Sequence, residues 1–102
     1  MSNVYKDLEL SLKNNLKTSV FKDISDIDVS RISVETPRDS EHGHFATNAA
    51  MVLAKQLGKN PREIAAQIAE SLLSFDEIVT TDVAGPGFIN IRYSDRYWTD
   101  HL

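Results

Sequence analysis

The stretch Ala84-Gly85-Pro86-Gly87 constrains this 102-residue chain more tightly than any other. Two glycines surround a proline between two β-rich runs, Ile78 to Val83 and Phe88-Ile89-Asn90-Ile91-Arg92-Tyr93. Glycine takes φ > 0 at little steric cost and proline fixes φ, so the four residues make a tight turn. A hairpin is therefore predicted over residues 78–93. Side chains alternate between the two faces of a strand. Ile89 and Ile91 supply an apolar face, and Phe88, Asn90 and Arg92 share the opposite one. An aromatic ring beside an amide can stack on an unpaired base and hydrogen-bond its edge. An arginine on the same face can meet a phosphate. A plainer assignment, with Phe88 in the core and Asn90 a polar group near the turn, competes with this one. Against it, Ile89 and Ile91 already form the apolar side.

The rest of the chain supplies elements to cover that apolar face. Val4, Leu8, Leu12 and Leu16 recur every fourth residue, and Glu9 and Lys13 form an i,i+4 pair, which predicts an amphipathic helix over 3–18. Asp23 to Asp28 is a short acidic loop or frayed turn. Ile32 and Val34 alternate with Arg31, Ser33 and Glu35, the pattern of a half-buried strand, which Pro37 ends. A polar loop follows, from Pro37 to Gly43. Phe45-Ala46-Thr47 reads as a short strand leading into a helix capped by Thr47 or Asn48. Ala49, Ala50, Val52, Leu53 and Leu57 give that helix its buried side, and Gly58 ends it. Asn60-Pro61-Arg62-Glu63 starts another helix, with Asn60 as cap, Pro61 in the first turn and Glu63 placed for a capping box. Ile64, Ala65, Ile68, Ala69, Leu72 and Leu73 form its stripe. Ser94 is a cap for a last helix carrying Tyr97, Trp98 and Leu102.

Helices and strands in this order do not alternate as in a doubly wound sheet. The expected class is α+β in two layers: a small, mostly antiparallel sheet of three to four strands, with helices packed on one face. The other face is left to carry function. Residues 1–93 are expected to form the domain. Residues 94–102 begin a helix that stops as its apolar side appears, so the chain is expected to be the front of a longer protein.

Eleven Lys and Arg stand against fifteen Asp and Glu, a formal net charge of −4. That balance argues against a free-standing nucleic-acid binder. The length suits one modest core and excludes most complete enzymes. Without cysteine there is no disulfide framework and no thiolate zinc site. The N-terminus has no apolar signal region and no stretch is long enough to span a bilayer, so a soluble cytoplasmic protein is expected. Charge is uneven along the chain. Asp23, Asp26 and Asp28 form one acidic block, and Asp76, Glu77 and Asp82 another. Lys55, Lys59 and Arg62 run without an intervening acid at the corner between the two middle helices. Such a run is a solvated helix end or a phosphate contact.

No catalytic set emerges. His42 and His44, with Asp39 and Glu41, sit two apart in a polar loop and read as exposed residues, so no metal site is assigned. His42-Gly43-His44 lacks the spacer of the His-x-Gly-His nucleotide signature. No Ser/His/Asp set has a recognisable context, and the glycine turn leads into a strand, unlike a phosphate loop.

Taken in order, Val34-x-x-Pro37, His42-Gly43-His44-Phe45-Ala46-Thr47-Asn48, Leu53-Ala54-Lys55, Asn60-Pro61-Arg62-Glu63-Ile64-Ala65 and Ala84-Gly85-Pro86-Gly87-Phe88-Ile89-Asn90 make nearly the whole chain resemble the N-terminal additional domain of arginyl-tRNA synthetase. The Ala-Gly-Pro-Gly-Phe-Ile-Asn run is the most specific part. The family commonly has Gly-Asp where this chain has Gly43-His44, so any role of that carboxylate does not carry over. The resemblance implies a two-layer α+β domain that docks the D-loop corner of tRNA(Arg). It also implies that the aromatic and amide of the glycine-rich segment, here Phe88 and Asn90, approach an unpaired D-loop base. With the residue-level reading, the candidate nucleic-acid-binding set is Phe88, Asn90 and Arg92, the turn residues Gly85 and Gly87, and Lys55, Lys59 and Arg62.

The resemblance further implies a class I catalytic domain in the same protein. It would use ATP with Mg to join arginine to tRNA(Arg), in a monomeric cytoplasmic enzyme; this fragment would only bind, without a cofactor of its own. The competing expectation is a protein-interaction module that uses the open sheet face. Phe88 and Tyr93 would then lie in an exposed apolar patch with no basic residue near.

Overall fold

The hairpin dominates the architecture. In the computed structural model, which describes residues 4–23, 27–37 and 43–100 (98–100 by backbone alone), β3 (Ile78–Ala84) pairs antiparallel with β4 (Phe88–Tyr93). The turn is closed by the Gly87 N–H donating to the Ala84 carbonyl at 3.3 Å. β4 pairs on its other side with β2 (Phe45–Thr47), and β2 with the short β1 (Val34–Glu35). All three pairings are antiparallel, in the order β1-β2-β4-β3. The strand carrying the candidate residues is therefore interior, with its backbone bonded from both sides. β1 is shorter than the run from Ile32 suggested, although Ile32 and Val34 are both buried.

The helices cover one face. α1 (Val4–Asn15) buries Leu8 and Leu12 and continues into a π-helical turn, Leu16–Val20, that the four-residue spacing did not announce. Its reason is the next apolar residue. Phe21 lies five positions after Leu16, one more than the preceding steps, and the wider turn returns it to the buried stripe. The Phe21 N–H donates to the Leu16 carbonyl at 2.9 Å. Glu9 and Lys13 pair at 3.2 Å as expected.

α2 (Ala49–Leu57) buries Ala49, Ala50, Leu53 and Ala54 and ends at Gly58 in the left-handed conformation. Of the two proposed caps, Thr47 does the work: its Oγ1 accepts from the Ala49 N–H at 3.2 Å. Asn48 turns instead to the chain before β1, accepting from the Ser33 N–H and donating to the Arg31 carbonyl. α3 (Pro61–Leu72) starts as predicted, with Asn60 Oδ1 accepting from the Arg62 N–H at 2.8 Å. Such a cap is worth about 1 kcal/mol. The reciprocal half of the capping box is absent among the described residues, since no hydrogen bond reaches back from the Glu63 side chain. α3 ends one residue before Leu73, which is left exposed.

The core lies between these helices and one side of the sheet. Phe45, Ile89, Ile91 and Leu72 are fully buried, each worth about 1.5–3 kcal/mol of burial. Phe45 sits between Tyr5 and Tyr93, with ring centroids at 5.1 and 4.7 Å. α4 (Asp95–Asp100) follows, where Ser94 Oγ accepts from the Tyr97 N–H at 3.4 Å. The loop over 38–42, with Asp39, Glu41 and His42, lies outside the described residues, as do residues 24–26 of the acidic turn and Leu102. No helix among the described residues is long and apolar enough to cross a membrane.

Candidate nucleic-acid interface

The register fixes what stands beside each candidate residue. In the β3–β4 ladder Ala84 faces Phe88, Asp82 faces Asn90 and Thr80 faces Arg92; across the other ladder Ala46 faces Asn90. Phe88, Asn90 and Arg92 thus share the sheet face turned away from Ile89 and Ile91, as their alternation predicted. They do not form a uniformly open row. Phe88 is 42% exposed, Arg92 is half-buried and Asn90 is only 7% exposed. A short side chain on a central strand sinks between its neighbours. Asn90 therefore lies recessed on this face, two residues along the strand from the more exposed Phe88. Among the described residues nothing hydrogen-bonds its amide, yet no polar atom of that side chain is wholly sealed.

Asp82 corrects the charge argument. Its acidic block does not stand apart from the candidate site, because Asp82 is the cross-strand neighbour of Asn90. The three-residue turn 85–87 sets that register, and it could have been counted from the chain. His44 is a second correction. It is half-buried rather than simply exposed, and its Nδ1 accepts from the Tyr93 N–H at 3.1 Å while its backbone N–H donates to the Ile91 carbonyl at 2.9 Å. Burial holds its imidazole below the ordinary histidine range, the Arg92 charge adds to this, and Asp95 opposes it. Tyr93, buried against the core, has its phenol pushed well above the usual range by burial, with Glu77 and Asp7 adding.

The turn is seated on the helical layer. Gly87, at φ +151°, lies so close to the α2–α3 corner that a Cβ there would meet Pro61 Cβ at 2.9 Å and Met51 Cγ at 3.1 Å. Gly85, at φ +54°, presents its carbonyl to the Arg62 guanidinium. The turn and Arg62 are thus one unit, a link that sequence separation concealed. Lys55 stands in the last turn of α2 and Lys59 in the link to α3, both exposed. Neither makes an ion pair or hydrogen bond from its side chain among the described residues. Lys55 lies beside Met51 in a groove along α2 that Lys59 does not line. No group of three or more His, Asp or Glu able to hold a metal occurs among the described residues.

Comparison with known proteins matches this arrangement to one family. The family model described as arginyl tRNA synthetase N terminal domain matches residues 6–93. The arginine–tRNA ligase of Brucella anthropi is 52% identical over 102 residues, covering 98% of this chain and 17% of that protein. The arginine–tRNA ligase of Brucella ovis is 49% identical with the same coverage, 98% and 17%. The crystal structure of arginyl-tRNA synthetase from Plasmodium falciparum shares the fold, with a TM-score of 0.78 at 20% identity over 99% of this chain and 18% of that one. The chain thus spans about 17% of the length of the Brucella relatives. It belongs to the family of arginyl-tRNA synthetase N-terminal domains.

Proposed function

We propose that this chain is the tRNA-docking domain of an arginine–tRNA ligase, and that β4 receives an unpaired D-loop nucleotide of tRNA(Arg). Asn90 carries the reading. A largely desolvated amide without a protein partner costs about 1–3 kcal/mol, and a ligand edge that completes its bonds removes that cost. Phe88 supplies a stacking surface, worth about 1–3 kcal/mol per base. The Asp82 carboxylate, across the ladder from Asn90, repels a phosphate there but not a neutral base, so the base itself faces Asn90. Arg92, Lys55, Lys59 and Arg62 serve the phosphates, and Gly85 and Gly87 let the turn sit close to its support.

Residues 1–93 are the docking unit in this reading, and 94–102 lead toward a class I catalytic domain. The full-length protein is a monomeric cytoplasmic enzyme that joins arginine to its tRNA. ATP with Mg belongs to that catalytic domain. The described residues of this chain offer no phosphate loop and no carboxylate or histidine group to hold it, and no step through ATP is assigned to them. The interaction-module alternative called for an exposed patch of Phe88 and Tyr93 without cations. Tyr93 is buried and Arg62 stands at the turn.

The test is tRNA(Arg) binding by the full-length protein. Phe88→Ala should weaken binding about tenfold, the value of one lost base stack. Asn90→Leu should leave thermal stability equal or higher, since it removes a partly desolvated amide, while abolishing discrimination among D-loop bases. Discrimination that survives in both folded variants refutes the assignment.

A further inference from the structure

Beside the hairpin turn runs a groove of about 560 Å³, between the chain at 28–31 and one side of α2. Asp28, Arg31, Asn48, Met51, Lys55 and Gln56 are among its lining residues. Its two walls are tied together. Gln56 accepts from the Asp28 N–H at 2.8 Å and donates to the Asp28 carbonyl at 2.7 Å. Asn48 accepts from the Ser33 N–H at 2.9 Å and donates to the Arg31 carbonyl at 3.2 Å. Four hydrogen bonds from two amide side chains therefore fix the gap before any ligand arrives.

The groove's lining is cationic on balance, with Arg31 and Lys55 against the single carboxylate of Asp28. Arg31 and Lys55 are exposed, and among the described residues neither side chain forms a close ion pair or hydrogen bond. Asp28 Oδ1 accepts from the Ser30 N–H at 2.9 Å and the Ser30 hydroxyl at 2.6 Å, and its charge is felt by Arg31. One wall of the groove reaches the hairpin turn. Met51, which lines it, has its Cγ 3.1 Å from where a Cβ on Gly87 would stand, and Gly87 directly precedes Phe88.

We infer that this groove is a second nucleotide subsite, which takes the phosphodiester of a nucleotide neighbouring the one on Phe88, with Arg31 and Lys55 as its phosphate contacts. The inference rests on the tRNA-docking reading. The amides of Asn48 and Gln56, the groups best suited to reading an adenine edge, are committed to the walls, which leaves the two cations to meet the backbone. It recognises backbone and is blind to sequence. Arg31 thereby joins the binding surface, although it stands far along the chain from Lys55, Lys59 and Arg62.

Affinity of the full-length protein for tRNA(Arg) transcripts across a salt series tests this. Arg31→Ala and Lys55→Ala should each weaken binding about fivefold near 0.15 M salt, the counterion-release value of one phosphate contact. Each should lower the slope of log affinity against log salt by about 0.7–1. The loss should be equal for every D-loop sequence. Unchanged affinity and slope in both variants, while Phe88→Ala still weakens binding, overturns the subsite and leaves the docking reading standing. No effect from any of the three variants overturns both. A loss that varies with the D-loop base overturns the claim of backbone recognition. Both side chains are exposed and unbonded, so neither substitution threatens the fold.

Discussion

Asn90 on β4 and His44 just before β2 are treated differently by the sheet. Asn90, on a central strand, has no protein partner for its amide among the described residues, whereas His44 is locked, its Nδ1 accepting the Tyr93 N–H at 3.1 Å. An imidazole can accept there only while that nitrogen is unprotonated. Its folded-state pKa is depressed by burial, then by Arg92, with Asp95 working the other way. The unfolded chain therefore binds the His44 proton more readily than the folded one. The stabilising contribution is complete above the unfolded value of about 6.5. It declines as pH falls below that value and levels off once the folded form also protonates. His44→Asp replaces the acceptor with one that stays ionised through this range and faces Arg92. Thermal unfolding of the two forms between about pH 7.5 and pH 5 should show wild type losing more than the variant. Parallel loss in both would mean that the histidine contributes nothing to the pH response.

Among the elements, the hairpin and its seat matter most. The turn approaches the α2–α3 corner so closely that Gly87→Ala would drive a methyl into Pro61, whose ring cannot rotate away, at a φ of +151°. The expected cost is about 1–3 kcal/mol, measurable by denaturant unfolding, with tRNA binding lost as the turn lifts. Stability equal to wild type would show that the seat can yield. Gly43, at φ +140°, is held against the Ile91 carbonyl, where a Cβ would approach to 2.7 Å, and this fixes the approach to β2. Much of this level was legible in the chain. The hairpin, α2 with its Gly58 end, and α3 with its Asn60 cap follow from local turn and capping chemistry, which needs only neighbouring residues. The π-turn after Asn15 was partly legible, in the five-residue step from Leu16 to Phe21. Asn48 illustrates the limit. It stands at a helix start and looks like a cap, but a long-range bond to the 31–33 segment outcompetes the local one. The Arg62 contact with Gly85 and the Arg31–Lys55 groove were hidden for the same reason, since both join residues more than twenty positions apart.

At the scale of the molecule, a net charge of −4 coexists with a surface suited to nucleic acid. The reconciliation is local. Asp28 is held by Ser30, Asp82 stands across the ladder from Asn90, Arg62 is bonded to the turn, and Arg31 and Lys55 line the groove. In the proposed function the discriminating contact is the base at Phe88 and Asn90. One double-mutant cycle tests that directly. Full-length protein, wild type and Asn90→Leu, is titrated with tRNA(Arg) whose D-loop bases are removed one at a time. A single position is expected at which base removal weakens wild type by more than about tenfold and weakens Asn90→Leu distinctly less, since the variant keeps the Phe88 stack and lacks only the amide. Equal losses in both proteins at every D-loop position would contradict it.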